Sequence, residues 1–264
     1  MMNAARQDEL HSPTSGDSGK RILGAAPVGA SDEASVAIAV RDMFSSIAPK
    51  YDLLNHVLSM NVDRQWWNRT ARIFDVVLSQ PNAQVLDLCC GTGDMTFALY
   101  RRMNGSSKRL IGADFSHAML VRATEKSGER AIRWVEADAL SLPFATSQFN
   151  LVTAAFGFRN LANYDRGLTE IYRVLASDGE MGILDFGEPK GLIGAMYRMY
   201  FRHVLPAIGT MISGVRGPYA YLPKSVQRFP APEEMLQRMR SAGFRNVSWT
   251  PYTFGIAGLY RGRK

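Results

Sequence analysis

Apolar residues first fall into a helical rhythm at Val36. Val40, Met43, Phe44 and Ile47 recur at three- and four-residue intervals, and Pro49 ends the run. A second helical stretch covers about 51–60. A third starts near Asp63, a residue suited to capping, and carries Trp66, Trp67, Ile73, Phe74 and Val77. The rhythm then changes. Short apolar runs at 83–88, 109–114, 132–138, 149–156 and 180–186 read as strands, the last introduced by the turn residues Asp178 and Gly179. Helical stretches at 94–102, 116–126 (capped by Ser116) and 164–175 lie between them. A helix at 232–242 and strands at 244–250 and 253–260 close the chain, and the short turn containing Pro251 predicts that these two pair antiparallel. The alternation predicts an α/β fold with a mostly parallel sheet and helices on both faces.

Residues 1–35 are rich in Ser, Gly, Ala and Pro, lack apolar periodicity, and read as a disordered tail. The expected organisation is one domain over 36–264, with a helical cap at 36–80 and a helical lid inserted at 190–228.

Composition agrees with a globular chain: 264 residues, 46% hydrophobic and 21% charged. The only cysteines, Cys89 and Cys90, are adjacent, which excludes a disulfide scaffold. With four scattered His they make no zinc site, so no metal is expected. The N-terminus has no apolar core of the secretory kind, and no apolar run approaches the ~18 residues of a membrane span. A cytoplasmic protein is expected.

The net charge of +7 is unevenly placed. Residues 41–189 carry 16 basic and 17 acidic side chains, net −1, whereas residues 190–228 carry six basic and no acidic ones. This pattern disfavours a uniform nucleic-acid coat, and no nucleic-acid partner is expected.

Candidate chemistry begins in VLDLCCGTGD. Gly91 and Gly93 fall in the first strand-to-helix turn, outside the carboxyl end of a parallel strand, where ligands bind in open sheets. The dinucleotide fingerprint needs a third glycine where this chain has Thr96. Asp94 stands at the helix N-terminus, where it would repel a diphosphate and favour a cationic group. Asp114 ends the second strand at the offset of an acid that accepts from both ribose hydroxyls. Asp138 ends the third, placed to accept from an exocyclic adenine amine while the Ala139 backbone reads a ring nitrogen. Amino acid, sulfonium, ribose and adenine laid across three strand ends describe S-adenosylmethionine. Asp87, Gly91, Thr92, Gly93, Asp114, Asp138 and Ala139 form its expected site.

With these motifs in view, the sequence resembles the ubiquinone/menaquinone-biosynthesis C-methyltransferases (UbiE/MenG family) of the class I methyltransferase fold. The matching pieces include FSSIAPKYDLLNHVLSMNVDRQWW, VLDLCCGTGDMT, ADFSHAML, FGFRN, YAYLPKSVQRFP and AGFRNVSWTPYTFGIAGLYRG, and they cover most of residues 40–263. The resemblance implies a seven-stranded Rossmann-like sheet with an antiparallel final hairpin, and cofactor contacts at Thr92, Asp114, Asp138 and Ala139. Asp138 replaces an Asn of many members, Ala155 replaces a Ser before the FG pair, and Asp185 stands where some relatives have Glu. The implied substrate is a polyprenylated quinol methylated on a ring carbon, demethylmenaquinol first.

An aromatic carbon becomes an adequate nucleophile when an adjacent hydroxyl loses its proton, and a phenol of pKa ~10 is mostly protonated at neutral pH. The site must stabilise the phenolate or take its proton. Arg159 and Asn160, after the fourth strand, are expected to do so, with Asp185 as a proton acceptor, directly or through water, or else as a satisfied strand-end carboxylate; paired with a nearby acid, Arg159 would instead be structural. Tyr51, Tyr219 and Tyr221 are expected over the substrate, with plain core packing as the bland alternative. Cys89, Cys90 and His203 read as structural. In the acid-free segment, Arg198 and Arg202 share a helical face beside Met196, Met199, Tyr200 and Val204. Such a face suits the inner membrane surface, where the enzyme would sit peripherally. A homodimer is allowed. An RNA methyltransferase is the main rival, without a visible RNA-binding module.

Overall fold

A computed structural model describes residues 24–25, 27, 29–48, 51–52, 59, 61–104, 109–189, 191, 194–195, 199 and 217–264. Seven strands form one sheet: β1 (Gln84–Leu88), β2 (Arg109–Asp114), β3 (Arg133–Glu136), β4 (Phe149–Ala155), β5 (Leu175–Phe186), β6 (Arg245–Tyr252) and β7 (Ala257–Arg263). Their order is β3-β2-β1-β4-β5-β7-β6. The first five are parallel, and β7 runs antiparallel to both β5 and β6. The order reverses between β1 and β4, which opens a crevice at their carboxyl ends. This is the architecture of class I methyltransferases.

The helices are α1 (Glu33–Ile47), α2 (Val62–Ile73), α3 (Asp75–Leu78), α4 (Asp94–Tyr100), α5 (His117–Ser127), α6 (Tyr164–Val174), α7 (Gly217–Arg228) and α8 (Pro232–Ser241). Two apolar cores sandwich the sheet. Leu86, Leu88, Val152, Ile183 and Met181 meet Leu168, Ile171, Met235 and Met239 on one face. Val85, Leu110, Leu151, Leu184 and Leu259 meet Trp66, Phe74, Leu78 and Leu99 on the other. Alternate residues of each strand serve opposite cores, so the central strands read as unbroken apolar runs. Among the described residues, no helix is long and apolar enough to cross a membrane.

Several expected boundaries move. Helix α1 starts at Glu33, inside the expected tail, because Asp32 and Ser35 form a reciprocal capping box. Upstream, Ala25 is buried and its N–H donates to Leu161 O at 2.8 Å. Asp63 is not a cap: it is buried inside α2, and Asn61 holds the N-cap in a left-handed conformation. The Ser116 hydroxyl does not cap α5 either; it meets Ser45 Oγ of α1 at 3.0 Å. Asp178 and Gly179 lie within the long strand β5, whose pairing with β4 shifts register between Phe149 and Leu151. Pro251 pairs with Gly258 inside β6, and the turn is Thr253–Gly255. An edge strand tolerates proline because its outward N–H has no ladder partner to lose.

Two features at the crevice carry strain or charge into the fold. Cys89, just after β1, has φ +53, and Phe156, just after β4, has φ +57. Gly157 fits between them only because it lacks a side chain: a Cβ there would lie 2.3 Å from the Cys89 Cβ. Asp87 of β1 is fully buried, and Thr96 of α4 and Thr153 of β4 donate to its two oxygens at 2.5 and 2.7 Å. Burial outweighs these bonds and pushes its pKa up to about 7.

Gly157→Ala should destabilise the fold by about 1–3 kcal/mol through overpacking, read as a lower denaturation midpoint, and Cys89→Gly should recover part of the loss. A carboxyl whose folded pKa is raised binds its proton more tightly in the folded state, so its contribution to stability falls as pH rises from its ordinary value, 3.8, to about 7. Asp87→Asn, which cannot ionise, should flatten the fall in unfolding free energy between pH 4 and about 7, measured by denaturant titration across that range.

Candidate active site

The carboxyl ends of β1, β2 and β4 and the loop after β3 surround a cavity of about 610 Å³. That volume suits a cofactor with part of a substrate. Its wall includes Asp87, Gly91, Thr92, Asp114, Asp138, Ala139, Arg159, Asn160, Tyr51 and Tyr221. The sequence reading therefore converges on one place. Two expected residues stand back from the wall. Gly93 caps α4 at φ +91, packed against Trp134, and shapes the turn from behind. Asp185 is buried behind Arg159. Tyr219 belongs to α7, but its side chain lies outside the described residues, as do Arg198, Arg202, His203 and most of the expected lid.

The cofactor end is assembled by backbone geometry. Gly91, at φ +54, donates its N–H to Asp114 Oδ2 at 2.8 Å, and Ser116 N donates to Asp114 Oδ1 at 2.9 Å. Each oxygen keeps a lone pair for a ribose hydroxyl. Burial pushes the Asp114 pKa up to about 6 despite backbone hydrogen bonds from Ser116, Gly91 and Phe115. Asp138 Oδ1 accepts from Leu140 N at 2.8 Å, which fixes the carboxylate and leaves its other oxygen without a partner among the described residues. The donor and acceptor pattern fits S-adenosylmethionine.

At the far side of the glycine turn, Lys126 of α5 donates to Asp94 at 2.9 Å, to Asp52 at 2.8 Å and to Thr92 Oγ1 at 3.2 Å. Thr92 Oγ1 in turn donates to Asp52 at 2.5 Å. Asp52 and Asp94 thus both face the Lys126 ammonium across the turn. Burial first, then the carboxylates of Asp114 and Asp87, push the thiols of Cys89 and Cys90 well above their ordinary values. Neither is a ready nucleophile.

The opposite end of the cavity is built on the short helical turn Phe158–Asn160 after β4. Arg159 Nη1 donates to Asp185 Oδ1 at 2.8 Å and also to Phe156 O, and its backbone N–H donates to Asp185 Oδ2 at 3.0 Å. Phe186 N donates to Asp185 Oδ1 at 2.9 Å. Burial opposes the guanidinium charge, but Asp185 more than compensates and holds Arg159 above its ordinary pKa. Its Nε is buried with no hydrogen-bond partner among the described residues. Beside it, Tyr221 Oη donates to Asn160 Oδ1 at 3.2 Å. Burial pushes the Tyr221 phenol up to about 12, although Arg159 pulls it down.

Helix α1 packs beside these ends. Glu33 of α1 accepts from Asn163 Nδ2 at 2.9 Å and pairs with Arg166, while Val36 and Val40 pack on Leu140 and Ala162. Sequence reasoning missed Asp52 and Lys126, which only tertiary contact joins, and the aromatic wall of Trp66, Phe156 and Phe186. Trp66 read as an ordinary core position, and nothing in its spacing marks a cavity.

A profile of the ubiE/COQ5 methyltransferase family matches residues 30–264. A demethylmenaquinone methyltransferase of Deinococcus radiodurans is 47% identical over 241 residues, covering 90% of this chain and 97% of the relative. One from Thermus thermophilus is 47% identical over 223 residues, covering 83% and 99%. A ubiquinone/menaquinone biosynthesis C-methyltransferase of Geobacter sulfurreducens is 39% identical over 232 residues, covering 85% and 88%. Among solved structures, a SAM-dependent methyltransferase from Thermotoga maritima superposes with a TM-score of 0.60 at 18% identity, covering 84% of this chain and 98% of that one; this likeness concerns the fold alone. With a family match across nearly the whole chain and relatives at this identity over their full length, the protein belongs to the ubiE/COQ5 methyltransferase family.

Proposed function

We propose that this chain methylates a ring carbon of a polyprenylated quinol, demethylmenaquinol first, using S-adenosylmethionine. Bound S-adenosylmethionine would supply an electrophilic methyl group, leaving as a neutral thioether that keeps the C–S bonding electrons, while the ring hydroxyl's proton and the hydrogen displaced from the ring carbon pass to water. Every other requirement falls on the protein. Asp114 and Asp138 hold the ribose and adenine, and the Asp94–Lys126–Asp52 corner receives the amino-acid end. Tyr51 closes the wall beside them.

Arg159 is paired with Asp185, as the structural alternative requires, but it also stands on the cavity wall with its buried Nε lacking a hydrogen-bond partner among the described residues, and that spare donor capacity is the observation that carries this reading. Burial raises the pKa of a ring hydroxyl, as it raises that of Tyr221. A substrate phenolate at this place needs direct help from a cation, and Arg159 supplies it. Arg is too basic to remove the proton itself, so its contribution is electrostatic. Asn160 and Tyr221 orient the hydroxyl. Asp185 has both oxygens taken by Arg159 and Phe186 and does not reach the cavity. It is a positioning residue that acts through Arg159, which matches the satisfied strand-end carboxylate of the sequence reading and not its proton acceptor.

The isoprenoid tail of such a substrate dissolves in the bilayer. On this reading the chain works at the cytoplasmic membrane surface as a peripheral protein. The six basic and no acidic residues across 190–228 support contact with anionic headgroups, at about 1 kcal/mol each near the surface.

Incubation with methyl-labelled S-adenosylmethionine and a demethylated naphthoquinol should place label in the organic phase. Label only in added RNA would remove the proposal. Arg159→Met should lower kcat by about 10²–10³ with little change in KM for the cofactor. Asp185→Asn should lower kcat less, and the double variant should be no slower than Arg159→Met alone, as expected of a residue working through its partner.

A further inference from the structure

The cavity extends past the reacting end into an aromatic strip with no role in the reading above. Its wall there is Trp66, Phe156, Phe186, Ile256 and Phe254. Three rings interlock, with centroids 4.6 Å apart for Phe156–Phe186, 5.7 Å for Trp66–Phe156 and 6.3 Å for Trp66–Phe186. The Arg159 guanidinium sits 5.0 Å from the Phe186 ring centroid, so the strip begins where the ring chemistry ends. Its one indole N–H is already satisfied, by Thr253 Oγ1 at 2.8 Å from Trp66 Nε1.

The strip ends in a strained turn. Thr253 and Phe254 both take left-handed backbone, at φ +44 and +58. That conformation costs an L-residue about 1–2 kcal/mol, and a β-branched one is a true outlier there. The turn holds Phe254 76% exposed at the cavity mouth. No core packing offsets this arrangement at Phe254. Strain of this kind persists where a side chain has work outside the fold.

We propose that the strip is the exit path for the isoprenoid tail of the quinol, with Phe254 as its outer contact. The inference rests on the quinol reading. With the ring against Arg159 and Asn160, the first isoprene units run over Phe186, Phe156 and Trp66 to Phe254, and the rest of the tail continues outward. Branched hydrocarbon suits this wall because it asks for no hydrogen bond. A polar ligand would lose its water without replacement.

The test compares Phe254→Ala with the native protein on two substrates in one detergent: a demethylated naphthoquinol with a short isoprenoid tail, and the same ring without a tail. Phe254 is exposed, so the variant should fold as the native protein does. KM for the tailed substrate should rise about tenfold, with kcat nearly unchanged and KM for the bare ring unaffected. Phe254→Leu, which keeps apolar surface, should recover most of the loss. An equal rise for both substrates, expected if Phe254 only braces neighbouring chain, overturns the proposal, and so does no change for either. If the native protein methylates neither ring, the quinol reading itself has failed, and this is seen before any variant is made.

Discussion

The Arg159–Asp185 pair is the contact on which the site depends. Its side chains are 6% and 0% exposed, and they join the turn after β4 to the end of β5. Taking two charges out of water is costly, and such a pair is held only where geometry and further hydrogen bonds are good. Both conditions are met, because Asp185 receives two bonds from Arg159 and one from Phe186. Removing one partner of a buried pair typically costs about 3–5 kcal/mol, since it strands the other charge. The cation is therefore fixed in place before any substrate arrives. Preorganised charge of this kind lowers the barrier without the cost of reorienting water.

The cavity follows from the sheet order. A reversal between β1 and β4 separates two strand ends, and Gly157 lets them approach again just above. One side of the resulting space is lined by carboxylates from successive strand ends, the other by aromatic rings from α2, the β4 turn and the end of β5. The two walls are thus of opposite kinds, one charged and one apolar. Their meeting point is the Phe158–Asn160 turn.

Much of this was legible in the sequence because it is local. A strand ending in Asp followed by a glycine turn is written in consecutive residues, and so are the ends of β2 and β4. Asp114, Asp138, Arg159 and Asn160 fall on the cavity wall for that reason. What failed depends on distant partners. Ser116 looked like a cap, but its hydroxyl meets Ser45, 71 residues away. Asp63 looked like a cap, but the chain turns earlier, at Asn61. Asp185 looked like a base until Arg159 closed over it. Lys126 had no local signal, because its carboxylate partners come from Asp52 and Asp94, 74 and 32 residues away. Pro251 read as a turn because proline usually ends a strand, and only the position of β6 at the rim of the sheet admits it.

That rim position has a consequence for how the protein behaves in a crowd. An open sheet ends in a row of unpaired backbone groups, a template for another chain to extend. Here β6 forms one such border, and Pro251 removes a donor from it. The pairing of β6 with β7 also slips register between Arg245 and Ser248, which disturbs the regular spacing a docking strand would need. Arg245 adds a charge at the same border, 67% exposed. At this border the sheet is therefore a poor template for another chain to extend.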